Sequence, residues 1–165
     1  RNILIAYNVN LDTDDKSSAN KIAGKLRSSG VLKKDDDGQK IIGDDGKPER
    51  IPGRFEALQA AGWMYNDDIA QVSMNLLDYS ATGLHSVTEA IRDEAGALGL
   101  KVTAGELVGL VPLEAILDAG RHYTKDTDIS DPRILVDVAI SNLQLDVLDD
   151  FNPDERIIEW AAEVI

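Results

Sequence analysis

The chain has 165 residues, 43% of them hydrophobic, which is enough for one domain (1–165) with a hydrophobic core. A formal net charge of -13 argues against gripping nucleic acid through phosphate contacts, which needs stripes of Lys and Arg, and equally against anionic membrane surfaces. There are no cysteines, so disulfides, thiolate catalysis and Cys-based metal sites are excluded. No apolar run approaches the roughly 18–20 residues of a membrane span, and the chain opens on a strand without a signal peptide, so the expected location is cytoplasmic. With Arg1 in place of an initiator Met, it reads as a piece of a longer protein.

Residues 2–10 read as the first strand, in which Ile3, Ile5, Tyr7 and Val9 alternate with Leu4, Ala6, Asn8 and Asn10. Asp12, Thr13 and Asp14 are candidate caps for a helix whose apolar stripe is Ala19, Ile22, Ala23 and Leu26, closed by Gly30. Residues 32–53 form a polar excursion, expected to be a hairpin with an Asp-Gly turn at its tip. Its Asp35 to Gly38 and Asp44 to Gly46 runs lack the spaced ligands and closing Glu of a calcium loop, so turn chemistry explains them better.

Residues 55–65 read as a second strand and 69–77 as a third. In the third, Ala70, Val72, Met74 and Leu76 suit a core, while Gln71, Ser73 and Asn75 form a row of uncharged hydrogen-bonding groups on the opposite face. A face that is only solvated more often carries Lys, Glu or Thr, so amides and a hydroxyl in a row suggest a surface that binds something polar. A helix follows on Leu84, Val87, Ile91, Ala95 and Leu98, with Thr82 as candidate cap and Gly99 as its stop. Residues 101–110 read as a fourth strand, in which Glu106 shares a face with Val102, Ala104 and Val108. That makes it either a buried, paired carboxylate or the mark of a bulge. Pro112, Asp131-Pro132 and Asn152-Pro153 each open a helix, with proline expected at the first helical position. The order β-α-β-β-α-β with an α-rich tail is that of an α+β, ferredoxin-like split β-α-β sheet, with helices on one face and extra C-terminal helices. Its other face would be bare, and Asn8, Asn10, Gln71, Ser73 and Asn75 would point there.

Several motifs occur in a fixed order. They are Tyr7-Asn8-Val9-Asn10-Leu11, Gly62-Trp63, Ala70-Gln71-Val72-Ser73-Met74-Asn75-Leu76, Thr82-Gly83-Leu84-His85-Ser86-Val87-Thr88-Glu89, Glu106-Leu107-Val108-Gly109-Leu110-Val111-Pro112 and Glu155-Arg156-Ile157-Ile158-Glu159. In this set the chain resembles the C-terminal subdomain of the glutamate formiminotransferase family, over nearly all its length except 33–52. The resemblance implies a half-enzyme that helps move a formimino group from formiminoglutamate to tetrahydrofolate, the co-substrate, in histidine degradation. It implies two similar subdomains whose sheets face each other across a substrate tunnel. The catalytic histidine would lie in the N-terminal subdomain, which this chain lacks, so no catalytic residue is assigned here. The partner would be that subdomain, within a protein expected to be a homo-oligomer. The wall residues expected from the two lines together are Asn8, Asn10, Gln71, Ser73, Asn75 and Glu106, and no metal is expected. Glu56 stands where the family frequently has a basic residue.

Some residues have plainer readings. Asn10 is placed to cap the following helix. His85 and Glu89, four apart, are expected to be a surface pair rather than a metal or acid–base site. His122 reads as solvated at a helix end, and Trp63 as core or interface rather than a stacking platform. The alternative function is a non-catalytic small-molecule-binding or dimerisation module of the same fold.

Overall fold

The computed structural model describes residues 3–163. A strand β1 (Ile5–Leu11) leads into helix α1 (Lys16–Leu26), then short strands β2 (Val31–Leu32) and β3 (Arg50–Ile51). Strands β4 (Leu58–Met64) and β5 (Ala70–Leu76) precede helix α2 (Leu84–Ala97) and strand β6 (Val102–Val108). Helices α3 (Leu113–Tyr123), α4 (Pro132–Asn142), α5 (Pro153–Arg156) and α6 (Ile158–Glu163) complete the chain.

The main sheet has the order β4-β5-β1-β6, and its neighbouring strands pair antiparallel. β1 and β4, joined through α1, are separated by β5, which is a split β-α-β connection. α1 packs on β4 and β5, and α2 on β6 and α3. The side chains of Ile5, Tyr7, Val9, Val72, Met74 and Leu76 join Ile22, Leu26, Val87 and Ile91 in one buried cluster. Tyr7 is fully buried, its hydroxyl is 2.7 Å from Thr88 Oγ1, and burial pushes its pKa up to about 12.

Both sheet edges are closed by neighbouring segments, mostly through side chains. On β4, Leu58 N–H donates to Ser28 Oγ (2.9 Å), Ala60 O accepts from Arg27 Nη1 (3.3 Å) and Gly62 N–H donates to Asn20 Oδ1 (2.9 Å). On β6, Gly105 N–H donates to Gln144 O (3.1 Å), Thr103 O accepts from Gln144 Nε2 (3.2 Å) and Leu107 O accepts from Arg156 Nη2. Unpaired edges invite association with other chains, so these contacts both anchor the helices and blunt the sheet.

Several boundaries differ from expectation. β4 starts at Leu58 rather than at residue 55, because Ala57 adopts φ +50 and Phe55 N–H is taken by Leu26 O at the end of α1. Asp15, not Asp12, Thr13 or Asp14, caps α1 through Ser17 N–H. Thr82 does not cap α2: Gly83 is the N-cap, and the Thr82 hydroxyl donates to Glu56 O (2.6 Å). Pro112 sits at the N-cap of α3, one residue earlier than the expected N1 position. The terminal helix is split at Ile157, whose backbone is extended (φ -90, ψ 123) and bridges to Val111. The excursion has two Asp-Gly turns rather than one, closed by Gly38 N–H to Asp35 O and Gly46 N–H to Gly43 O. Residue 2 of the expected first strand lies outside the described residues.

His85, in the first turn of α2, stacks on His122 of α3 with ring centroids 4.5 Å apart and 19° between planes. The expected His85–Glu89 pair does not form: Glu89 instead binds Arg92 and accepts from the Tyr123 hydroxyl at 2.9 Å. Burial, and then the charge of His122, hold the His85 pKa below its ordinary value, against the opposing pull of Asp118 and Glu89.

Two outcomes follow from this packing. A Cβ on Gly62 would sit 2.6 Å from the Asn20 backbone nitrogen, so Gly62→Ala must push α1 off the sheet. A loss of about 1–3 kcal/mol in urea unfolding is expected, and an unchanged midpoint would show that α1 moves freely there. For His85, the unfolded imidazole takes up its proton near 6.5 and the folded one only at lower pH, so stability declines as pH falls through that window. The melting temperature should therefore drop more between about pH 7.5 and pH 5 for the wild type than for His85→Gln; equal slopes would contradict the depressed pKa.

Candidate functional site

The face opposite the core is built by register. Paired residues in an antiparallel sheet point to the same side, so Gln59, Asn75, Ala6 and Val108 form one row across the four strands. Ala61, Ser73, Asn8 and Glu106 form the next, and Trp63, Gln71, Asn10 and Ala104 the third. Of the six expected wall residues, all therefore lie on one face. Ala104 on this face is buried but stands outside the apolar cluster.

Each row contains one cross-strand amide bond. Asn75 Nδ2 donates to Gln59 Oε1 (3.2 Å), Asn8 Nδ2 donates to Glu106 Oε1 (2.9 Å) and Gln71 Nε2 donates to Asn10 Oδ1 (2.8 Å). Such a bond contributes about 0.5–1.5 kcal/mol, and it also fixes where the spare donors and acceptors sit. Of the two readings of Glu106, the paired carboxylate is the one the register favours, since Glu106 faces Asn8 in the regular part of the ladder. It is a half-buried carboxylate bound to Asn8, while the register shift of the β1–β6 ladder falls opposite Ala104 and Val102 rather than at Glu106. Asn10 is not a helix cap, since Asp15 fills that role. It is only 1% exposed, and its Nδ2 has no hydrogen-bond partner among the described residues. A buried amide donor left unpaired is costly, which marks the Asn10–Gln71 row as a place where a ligand acceptor would gain most.

The two ends of the face differ from its middle. Trp63, 61% exposed, ends the third row, with Lys16 Nζ 5.8 Å from its ring. It is therefore neither core nor covered by this chain. At the end of the first row Val108 is exposed, and Leu4 and Leu110 beyond it are exposed apolar side chains as well. Gln59 and Trp63 were absent from the residues expected on this face, although their alternation with Leu58, Ala60 and Gly62 along β4 carries the same period-2 signal. The described residues contain no group of three or more His, Asp or Glu side chains placed to hold a metal ion, and no helix among them is long and apolar enough to cross a membrane.

Comparison with known proteins bears directly on this face. Residues 6–163 match the model of the formiminotransferase domain family. The chain is 39% identical over 163 residues to a rat formimidoyltransferase-cyclodeaminase, covering 97% of this chain and 27% of that protein. It is 34% identical over 126 residues to a glutamate formimidoyltransferase of Streptococcus pyogenes serotype M1, covering 76% of this chain and 35% of that relative. It is 30% identical over 164 residues to a Thermoplasma acidophilum protein of the same name, 41% of whose length it covers. The chain thus spans between about a quarter and two fifths of these relatives. With the match running through every strand of the sheet that carries the amide rows, the chain belongs to the formiminotransferase domain family.

Proposed function

We propose that this chain is the C-terminal half of a folate-dependent transferase, which moves a formimino group from N-formimino-L-glutamate to tetrahydrofolate in histidine degradation. The observation that carries the reading is the set of amide bonds in consecutive rows, ending at the unpaired Asn10 Nδ2. In the proposal the sheet is ferredoxin-like, and its amide face forms one wall of the substrate tunnel. An N-terminal subdomain, outside this sequence, supplies the facing wall and the proton-transfer group. The exposed Leu4, Val108 and Leu110 would meet that subdomain. The complete protein is read as a cytoplasmic homo-oligomer.

The chemistry suits uncharged amides. A folate nitrogen attacks the formimino carbon, a new carbon–nitrogen bond forms, and the bond to the glutamate nitrogen breaks as that amine leaves with a proton. The role left to this wall is orientation. A pterin edge presents alternating donors and acceptors, which amides can match without the desolvation cost of a charge. Holding two substrates in reacting geometry is worth up to ~7–11 kcal/mol of barrier. Asn8, held by Glu106, and Asn10, held by Gln71, are presented as rigid donors, while Ser73 lies between Ala61 and Asn8 in the middle row.

The test is formimino transfer by the full-length protein that contains this chain. Activity is expected, and Asn75→Leu should lower kcat/KM by roughly 10–100-fold while leaving the melting temperature in place, because this amide is partly exposed and, among the described residues, its side chain binds only Gln59. No transfer by the wild type would overturn the reading; transfer unaffected by the substitution would remove Asn75 from the site.

A further inference from the structure

The chain carries 30 acidic residues against 17 basic ones, yet among the described residues Arg27, Arg50, Arg54 and Arg156 have no carboxylate partner, and the first two of these meet at one loop. Arg92, Arg121 and Arg133 each form an ion pair. Arg27 instead donates Nε to Gly30 O (2.7 Å) and Nη1 to Ala60 O (3.3 Å), and its Nη2 makes no hydrogen bond among the described residues. Arg50 converges on the same loop, donating Nε to Ser29 O (2.8 Å) and Nη2 to Gly30 O (3.3 Å). A guanidinium is a planar fork of donors matched to a carboxylate. In so acidic a chain, two of them held side by side against neutral carbonyls make a local positive spot.

That spot opens on a cavity of about 540 Å³ at the outer edge of β4, lined by Arg27, Ser28, Ser29, Ala57, Gln59 and Leu77 among others. The Ser28 hydroxyl is occupied, donating to Phe55 O and accepting from Leu58 N–H. The Ser29 hydroxyl makes no hydrogen bond among the described residues. Ala57 holds φ +50 in the cavity wall, a left-handed conformation uncommon for a residue with a Cβ. Gln59 is the link to the amide face, because the same side chain accepts from Asn75 Nδ2. A ligand lying on the amide rows and reaching across Gln59 would bring its end to Arg27.

We propose that this cavity is an anion subsite, in which Arg27 takes a glutamyl carboxylate of a ligand seated on the amide face. It rests on the reading of that face as a ligand wall. The carboxylate has two possible sources, the glutamate being deformiminated and the glutamate tail of a folate, and their shared chemistry is what Arg27 would recognise. Arg27 is then a binding residue for the substrate's charged end, and the positive spot answers how a chain of net charge -13 handles anionic substrates.

The test titrates L-glutamate, pteroylmonoglutamate and pteroyltriglutamate calorimetrically into the full-length protein. The variants are Arg27→Gln, Arg27→Lys and Ser29→Asp, the last placing a carboxylate in the cavity without removing a hydrogen bond. Arg27→Gln and Ser29→Asp should each weaken at least one of these probes about tenfold or more, with Arg27→Lys falling between and the wild-type affinity declining with salt. A loss seen with L-glutamate places the amino-acid substrate in the cavity; a loss confined to the pteroyl probes, and greatest for the triglutamate, places the folate tail there. If Arg27→Gln does not fold, Ser29→Asp decides alone. Wild-type affinities matched by the variants, or no binding of any probe, overturn the subsite. Formimino transfer persisting in that case leaves the proposed function standing, whereas charge-dependent binding without any transfer would keep the subsite and sink the transferase reading.

Discussion

Everything on this sheet hangs on β1, which is hydrogen-bonded along both sides, to β5 and to β6. Its side chains alternate between Tyr7 and Val9 on the buried side and Asn8 and Asn10 on the other. Because paired residues share a face, these two registers carry the alternation outward to Ser73, Gln71, Glu106 and Ala104. A slip of one residue in either ladder would turn amides into the core and Val72 or Leu107 out of it. Tyr7 adds a lock: its hydroxyl reaches Thr88 of α2, which in turn donates to Leu84 O, so a polar atom deep in the core is satisfied only in this register.

The helices do more than cover the core. α1 supplies Asn20, with Arg27 and Ser28 just past its end, to the free edge of β4, and the C-terminal segment supplies Gln144 and Arg156 to the free edge of β6. Gln144 is bent into φ +56, so that its carbonyl meets Gly105 N–H while its side chain meets Thr103 and Arg92. The break at Ile157 belongs to the same closure, since the extended residue bridges Val111 and Arg156 stays over Phe151 and the β6 carbonyls. With both edges occupied, the polar face is the part of the sheet left open, and Arg27 stands at its β4 edge.

The division of labour between charge and neutrality has a chemical logic. The middle of the face is uncharged except for Glu106, and that carboxylate is engaged by Asn8. Neutral donors can orient a polar heterocycle without paying for desolvating ions, while a fixed positive group is useful only where a ligand keeps its charge. The cavity at Arg27 lies at the rim, partly solvated, where a carboxylate can be received without being stripped of all its water.

How far the chain reveals itself differs from element to element. Composition and the absence of cysteine bounded the chemistry, and period-2 alternation in residues 3–10 and 70–76 was enough to sort core from polar face and to name Asn8, Asn10, Gln71, Ser73 and Asn75. Prolines and Asx residues located the starts of α4 and α5, because those signals act within one or two residues. Tertiary structure decided the rest. Thr82 became a ligand of Glu56 O rather than a cap, Glu89 turned from His85 to Arg92 and Tyr123, and the strand expected at residue 55 began at Leu58. Which amide meets which, and that Asn10 keeps an unpaired donor, depended on ladder register. The physical reason is range: alternation and capping are written in neighbours along one strand or turn, whereas register, edge closure and the meeting of Arg27 with Arg50 pair residues that come together only when the whole sheet has formed.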